Sequence, residues 1–200
     1  ILRSWMLNDR QYTLLSLAVE KEGSRMWTSE DDYERRHYWP MAYEAYPHLH
    51  AISPRCFWTD GTTFSAKHVK QFFHGVPIVV KDHVKSAKGA ENAVFIKNSG
   101  DKREVWTVVE NMIKERGPLF ERGIVFKEHL NIKKDKNGCN IEVRLFFHRG
   151  RAFSIQPNDC DCPSFLVPSE FVNEIGKAMG EGFYSVDIAL CEGDKWMVIE

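Results

Sequence analysis

The sequence predicts an α+β protein of two small lobes, preceded by a mostly helical N-terminal part. Three observations carry that prediction. Apolar residues recur at helical spacing through most of residues 1–75. A compact β run ending in Lys81, a helical stretch closing at Arg116 and a β run from Gly123 make a β-α-β first lobe over 76–130. From 131 to 200 the pattern changes to short alternating runs around one helix, which reads as antiparallel strands.

In chain order, Asn8-Asp9-Arg10 reads as a helix cap ahead of Tyr12, Leu14, Leu15, Leu17, Ala18 and Val19, with Glu22-Gly23 as the stop. Ser29 opens a second helix towards Tyr46 through a capping-box pattern, and Pro40 kinks or splits it. His37, His48 and His50 lie in this aromatic region at spacings that fit structural histidines better than metal ligands. Phe64 to Phe73 reads as a helix broken by Gly75-Val76-Pro77. Val108, Val109, Met112 and Ile113 mark a helix over Trp106 to Arg116, which Gly117-Pro118 ends. Ile141 to Phe147 and Arg151 to Ile155 read as strands joined at Arg149-Gly150, with Glu142 and Arg144 on one face. A helix follows through Met179.

Composition excludes some classes. Lys plus Arg (27) nearly balances Asp plus Glu (28), so no global basic field recommends nucleic acid or an acidic membrane surface. Apolar runs are far short of a membrane span, and no signal-peptide pattern opens the chain. Five cysteines (Cys56, Cys139, Cys160, Cys162 and Cys191) without a Cys-x-x-Cys pair suit a reducing cytoplasm. Asp159-Cys-Asp-Cys162 reads as a polar loop rather than a metal cluster. A chain that begins at Ile1 and stops at Glu200 inside an apparent strand reads as part of a longer protein.

Two stretches carry chemistry. Lys81, Lys85 and Lys88 fall within eight residues, interleaved with Ser86, Ala87 and Gly89, so this loop after a strand can close on phosphate; a solvated lysine loop is the plainer alternative. No Walker A or dinucleotide-binding glycine motif occurs. At the C-terminal end, two alternating runs flank Gly193-Asp194, a two-residue hairpin signal. That register sets Asp187 opposite Glu200, with Val186, Ile188, Leu190, Met197 and Ile199 on the core face. Opposed carboxylates repel, so a cation between them, Mg²⁺ above all, would relieve the pair. An acidic solvated face, or a three-residue turn that slips the register by one, are the alternatives.

Taken in order, these pieces resemble the ATP-grasp superfamily over roughly Pro77 to Glu200, and most nearly its divergent clade named for one arginine and two lysines, which includes the assembly chaperone of eukaryotic translation initiation factor two. The resemblance rests on Pro77-Ile-Val-Val-Lys81, Lys85-Ser-Ala-Lys88-Gly89, Lys127-Glu128-His129-Leu130, Glu142-Val-Arg144, and the acids Asp187 and Glu200, thirteen positions apart. Arg3-Ser-Trp-Met-Leu7 is also similar to an N-terminal element of the clade. It implies an ATP-grasp fold with ATP and Mg²⁺ between two lobes. Lys81, Lys85, Ser86 and Lys88 would meet phosphates, and Lys127, Glu128, His129 and Leu130 would form a hinge reading adenine through backbone groups. Glu142 would belong to the nucleotide site, Asp187 and Glu200 would bind the metal, and Arg144 with Lys88 would act on the transferring group. The family usually adds an Asn or Asp ligand two residues past the second acid, beyond the last residue here. The implied activity is ligation: a small-molecule, peptide or protein carboxylate is activated as an acylphosphate and attacked by an amine or thiol. The alternative is an ATP-bound assembly factor with a protein partner.

Overall fold

A computed structural model describes residues 6–84, 86–87, 90–158 and 167–200. Arg3, Lys85, Lys88, Gly89, Cys160 and Cys162 lie outside the described residues. Helix α1 (Asp9–Lys21) starts at a full capping box, in which the Asn8 side chain accepts from Gln11 N–H and the Gln11 side chain reaches back to Asn8 N–H. The next helical stretch is split into α2 (Glu30–His37) and α3 (Trp39–Ala45) at Tyr38, whose extended backbone precedes Pro40 in the first turn of α3. A proline ring fits a first turn and not a helix interior. A 3₁₀ turn, Pro47–Ile52, follows.

The first sheet has order β1-β4-β2-β3: β1 (Cys56–Asp60), β2 (Ile78–Asp82), β3 (Phe95–Ile96) and β4 (Gly123–Glu128), all paired antiparallel. Strand β1 is one that sequence periodicity does not reveal, because three apolar residues, Cys56, Phe57 and Trp58, are followed by Thr59 and Asp60 without alternation. Helices α4 (Ala66–Phe73) and α5 (Lys102–Arg116) cover one face through Val69, Phe73, Val105, Val109 and Met112 against Ile78, Val80, Ile124 and Phe126.

The second sheet has order β6-β5-β7-β8: β5 (Glu142–His148), β6 (Arg151–Pro157), β7 (Phe183–Cys191) and β8 (Lys195–Val198). Its inner face, Val143, Leu145, Phe147, Val186 and Ile188, is covered by Val172 and Ile175 of α6 (Ser169–Met179) and by Tyr46 and Leu49 from the N-terminal part. Helix α6 presses onto the β5–β6 turn so closely that a Cβ on Gly176 would lie 2.0 Å from the Gly150 carbonyl oxygen.

The segment from α2 to the 3₁₀ turn belongs to both halves. Trp39 packs with Cys56 and Val125 of the first sheet, while Tyr46 and Leu49 join the core under the second. Arg36 fastens the same segment to the end of α6, donating to the carbonyls of Met179 and Glu181.

The closing hairpin corrects the two-residue turn. Cys191 pairs with Lys195, so Glu192, Gly193 and Asp194 form a three-residue loop, with φ of 76° at Gly193 and 58° at Asp194. Asp tolerates the left-handed region, and Lys133 pairs with its carboxylate while Asn131 O accepts from Glu192 N–H, holding the longer loop against the preceding linker. The slip moves Val198 into the core, opposite Ile188, and leaves Met197 and Ile199 half-buried on the other face. A β-bulge then undoes it: Ile199 N–H and Glu200 N–H both donate to Asp187 O (2.8 and 3.2 Å), and Asp187 N–H donates to Glu200 O at 2.6 Å. Glu200 thus returns to the place opposite Asp187 by a different route.

Candidate functional site

The uncovered faces of the two sheets meet around a cavity of about 270 Å³. From the first sheet, β2 and β4 alternate so that Val80 and Phe126 enter the core while Lys81 and Lys127 share the opposite face. Val79 faces Lys127 and Lys81 faces Val125, which makes the two lysines diagonal neighbours. From the second sheet, Arg144 faces Asp187 directly, and Glu142 faces Ala189. Ser86, Glu142, Asn158, Asp187 and Glu200 complete the polar part of the lining, with the Ile199 carbonyl accepting from Lys127.

Both acids are held by cations. Lys81 Nζ donates to Glu200 Oε1 at 2.6 Å, bridging the two sheets. Arg144 grips Asp187 through Nε and Nη2, each at 2.6 Å, and Asn158 Nδ2 adds a bond at 3.3 Å. The like charges expected to repel at this hairpin are thus separated and neutralised by side chains of the chain itself.

Lys127 is the residue whose role the sequence reading places differently. Its side chain, not only its backbone, enters the cavity: Nζ donates to Ile199 O at 2.6 Å and lies 3.4 Å from the centre of the Trp39 ring. Burial, and then the positive charge of Lys81 beside it, push its ammonium down to about 7, while Glu200 and Cys56 pull the other way. Parity along β4 is the signal that could have found it, since a lysine one step from core Phe126 must face away from that core. Asn158 had no such signal.

The remaining hinge residues do not border this cavity. Glu128 pairs with Arg55 at 2.6 Å, His129 N–H donates to Pro77 O, and the exposed His129 ring meets Phe95 edge-on at 4.9 Å. Leu130 is half-buried. Of the N-terminal histidines, His50 stacks on Tyr43 at 3.9 Å and bonds its carbonyl, while His37 stacks on Tyr33 at 4.9 Å.

The pattern of an ATP-grasp domain family, the third family of the clade named for one arginine and two lysines, matches residues 71–200. The chain belongs to this ATP-grasp family. Solved structures agree on the fold. N5-carboxyaminoimidazole synthetase from Staphylococcus aureus matches at a TM-score of 0.60 and 19% identity, over 97% of this chain and 50% of that one. The ATP-grasp ligase PsnB, solved with precursor peptide PsnA2 and AMPPNP, matches at 0.61 and 16%, over 96% and 58%. D-alanyl-alanine synthetase A from Vibrio cholerae matches at 0.60 and 11%, over 93% and 61%. The chain therefore spans 50 to 61% of the length of these ATP-grasp proteins. Among curated proteins, none matches it. Among the described residues, no helix is long and apolar enough to cross a membrane.

Proposed function

We propose that the cavity between the sheets binds ATP with Mg²⁺, and that the chain is the nucleotide-binding part of an ATP-dependent ligase that activates a carboxylate. The observation that carries this reading is the pairing of opposite walls: Lys81 and Lys127 on one sheet face Glu142, Asp187 and Glu200 on the other across a single cavity, and Arg144 is bonded to Asp187 of that wall. Lysines and an arginine can take phosphate oxygens, and carboxylates can take the metal that accompanies them.

The donor set fits Mg²⁺. Asp187 and Glu200 offer hard oxygens from adjoining positions, the one or two carboxylates that Mg²⁺ takes while keeping water and phosphate oxygens in the rest of its shell. Bound there, the ion would supply positive charge against the phosphate oxygens. Lys81 and Arg144 would exchange their carboxylate partners for phosphate, and an anion beside Lys127 would favour its charged form. Lys85 and Lys88, outside the described residues, are proposed to cover the phosphates, and the adenine edge is proposed to extend beyond the cavity's lining to Leu130 N–H and the Lys127 and Glu128 carbonyls.

In the ligase reading, a carboxylate oxygen bonds to the terminal phosphorus as the bridging P–O bond to ADP breaks. An amine or thiol then attacks the acyl carbon, losing a proton, and phosphate leaves. The residues above hold charge and geometry, so no side-chain nucleophile is required.

Thermal unfolding with ATP, ADP and GTP, each with and without Mg²⁺, tests the nucleotide step, because a ligand that binds only the folded state raises its stability. An ATP-selective shift enhanced by Mg²⁺, weakened about tenfold or more by Lys81→Ala through loss of a charge-assisted bond, is expected. No shift with any nucleotide refutes the reading. Tight binding without ADP release across carboxylates and amines would favour the assembly-factor alternative over the ligase.

A further inference from the structure

A second cavity, of about 70 Å³, lies on the other side of the Lys81–Glu200 ion pair. Both residues of that pair border both cavities. Its remaining walls come from the N-terminal part and the second sheet, with Trp39, Tyr43, Tyr46 and Leu49 facing Met179 and Val198. This is the space left where the segment from α2 to the 3₁₀ turn wedges between the two sheets.

Its chemistry is lopsided. The walls are mainly aromatic and aliphatic, and Glu200 is their only carboxylate among the described residues, against the cations Lys81 and Arg36. Arg36 is nine-tenths buried, and its nearest carboxylate, Asp32, stands 3.8 Å from Nη2. Its Nε donates to the Tyr46 hydroxyl at 3.1 Å and its Nη2 to the Met179 carbonyl at 3.2 Å, while Nη1 is buried with no hydrogen-bond partner among the described residues. Leaving such a donor unpaired is costly; Nη1 lies only 2.3 Å from where a Cβ on Gly182 would stand, and Gly182 does not line the cavity, so what Arg36 brings to this wall is its buried positive charge. An anion suits it better than a cation.

We propose that this second cavity binds the acid to be activated, a carboxylate on a compact apolar body, with the carboxylate at the Lys81 end. The inference rests on the nucleotide reading of the first cavity and names the substrate class for the same site. The shared ammonium gives the placement: a carboxylate oxygen held by Lys81 stands beside the phosphate that the same group would hold from the other side, which is the proximity that transfer needs. Size sets the class. A single water needs about 10–15 Å³ measured in this way, so the cavity takes a small group and not several residues of a peptide. Apolar walls with a few polar points are what orient such a body. A free small acid and the C-terminal residue of a peptide offer the same chemistry, and they can be told apart.

The test is isothermal calorimetry on the chain with L-valine, L-phenylalanine and Gly-Gly-Val, each with and without Mg²⁺ and AMPPNP. Binding of at least one probe is expected, weakened tenfold or more by Ala42→Phe, which fills the cavity from α3. Leu49→Ala, which enlarges it, is expected to shift preference from L-valine towards L-phenylalanine by about tenfold, and serves if the filled variant does not fold. Free amino acids binding in preference to Gly-Gly-Val identifies a free acid; the reverse identifies a peptide end. No heat from any probe in either condition, or affinities that neither variant alters, overturns the inference while leaving nucleotide binding to stand by its own titration. Probe binding without any AMPPNP binding keeps the cavity and sinks the nucleotide reading instead.

Discussion

Replacing Lys127 with Met tests whether the cavity stores an unfavourable charge. Met keeps the length of the side chain and removes the ammonium. In the folded chain the Lys127 pKa falls from 10.5 to about 7. Below pH 7 both folded and unfolded chains carry the proton, and the fold bears the full charging cost of about 5 kcal/mol, since each tenfold loss of proton affinity is worth about 1.4 kcal/mol. Between pH 7 and 10.5 the unfolded chain binds the proton and the folded one has lost it, so stability rises with pH across that window. Removing the amine also orphans the Ile199 carbonyl and the Trp39 ring face; the part of those losses that does not depend on the charge is the same at every pH and leaves the difference between the two pH profiles unchanged. From pH 6 to 9.5 the wild type should therefore gain about 3 kcal/mol on Lys127→Met, or roughly 6–12 °C in Tm for a chain of this size. The assay is thermal and urea unfolding of both proteins in EDTA, without nucleotide, at half-unit pH steps. Parallel profiles would refute the reasoning: Lys127 would then titrate as an ordinary lysine, and the crowding of two ammonium groups on one sheet face would carry no energetic weight.

Two further outcomes follow from the geometry. Arg144→Met should destabilise the chain by about 2–4 kcal/mol in urea unfolding, because Asp187 is 5% exposed and would keep, among the side chains of the described residues, only Asn158; the cost stays below that of a fully buried pair because Arg144 is 37% exposed on its side chain. Asp187→Asn in the same background should recover part of that loss, and no recovery would show that the pair is not the cause. Gly193→Val should cost about 1–2 kcal/mol in the same assay, since a β-branched residue is forced to a φ of 76° where space is otherwise open; an unchanged midpoint would mean that the hairpin loop re-forms with two residues.

The hairpin also shows what a sequence can and cannot disclose about this site. Alternation with a two-residue turn at Gly193-Asp194 sets Asp187 opposite Glu200, and the structure reaches the same pair through two departures that cancel, a longer loop and a bulge. The length of the loop is not legible, since it depends on Lys133 and Asn131, which reach Asp194 and Glu192 from a linker about sixty residues earlier. The bulge at Ile199 and Glu200 then compensates for the longer loop, and no local pattern announces it. The same limit applies to the lysines. Lys81 stands out because it ends an apolar run, whereas Lys127 looks like one more residue of a linker until β2 and β4 are aligned and its side chain proves to share the face of Lys81. The second cavity lies further still from sequence, since its walls are drawn from residues 36–53, 81–84 and 179–200 and exist only once the N-terminal segment is wedged between both sheets. Periodicity therefore finds strands and their faces, and the chemistry of this chain is decided one level higher, by the register of β2 against β4, of β5 against β7 and by the bulge that ends the β7–β8 hairpin, which bring two lysines and two carboxylates to one seam with Arg144 bonded to Asp187.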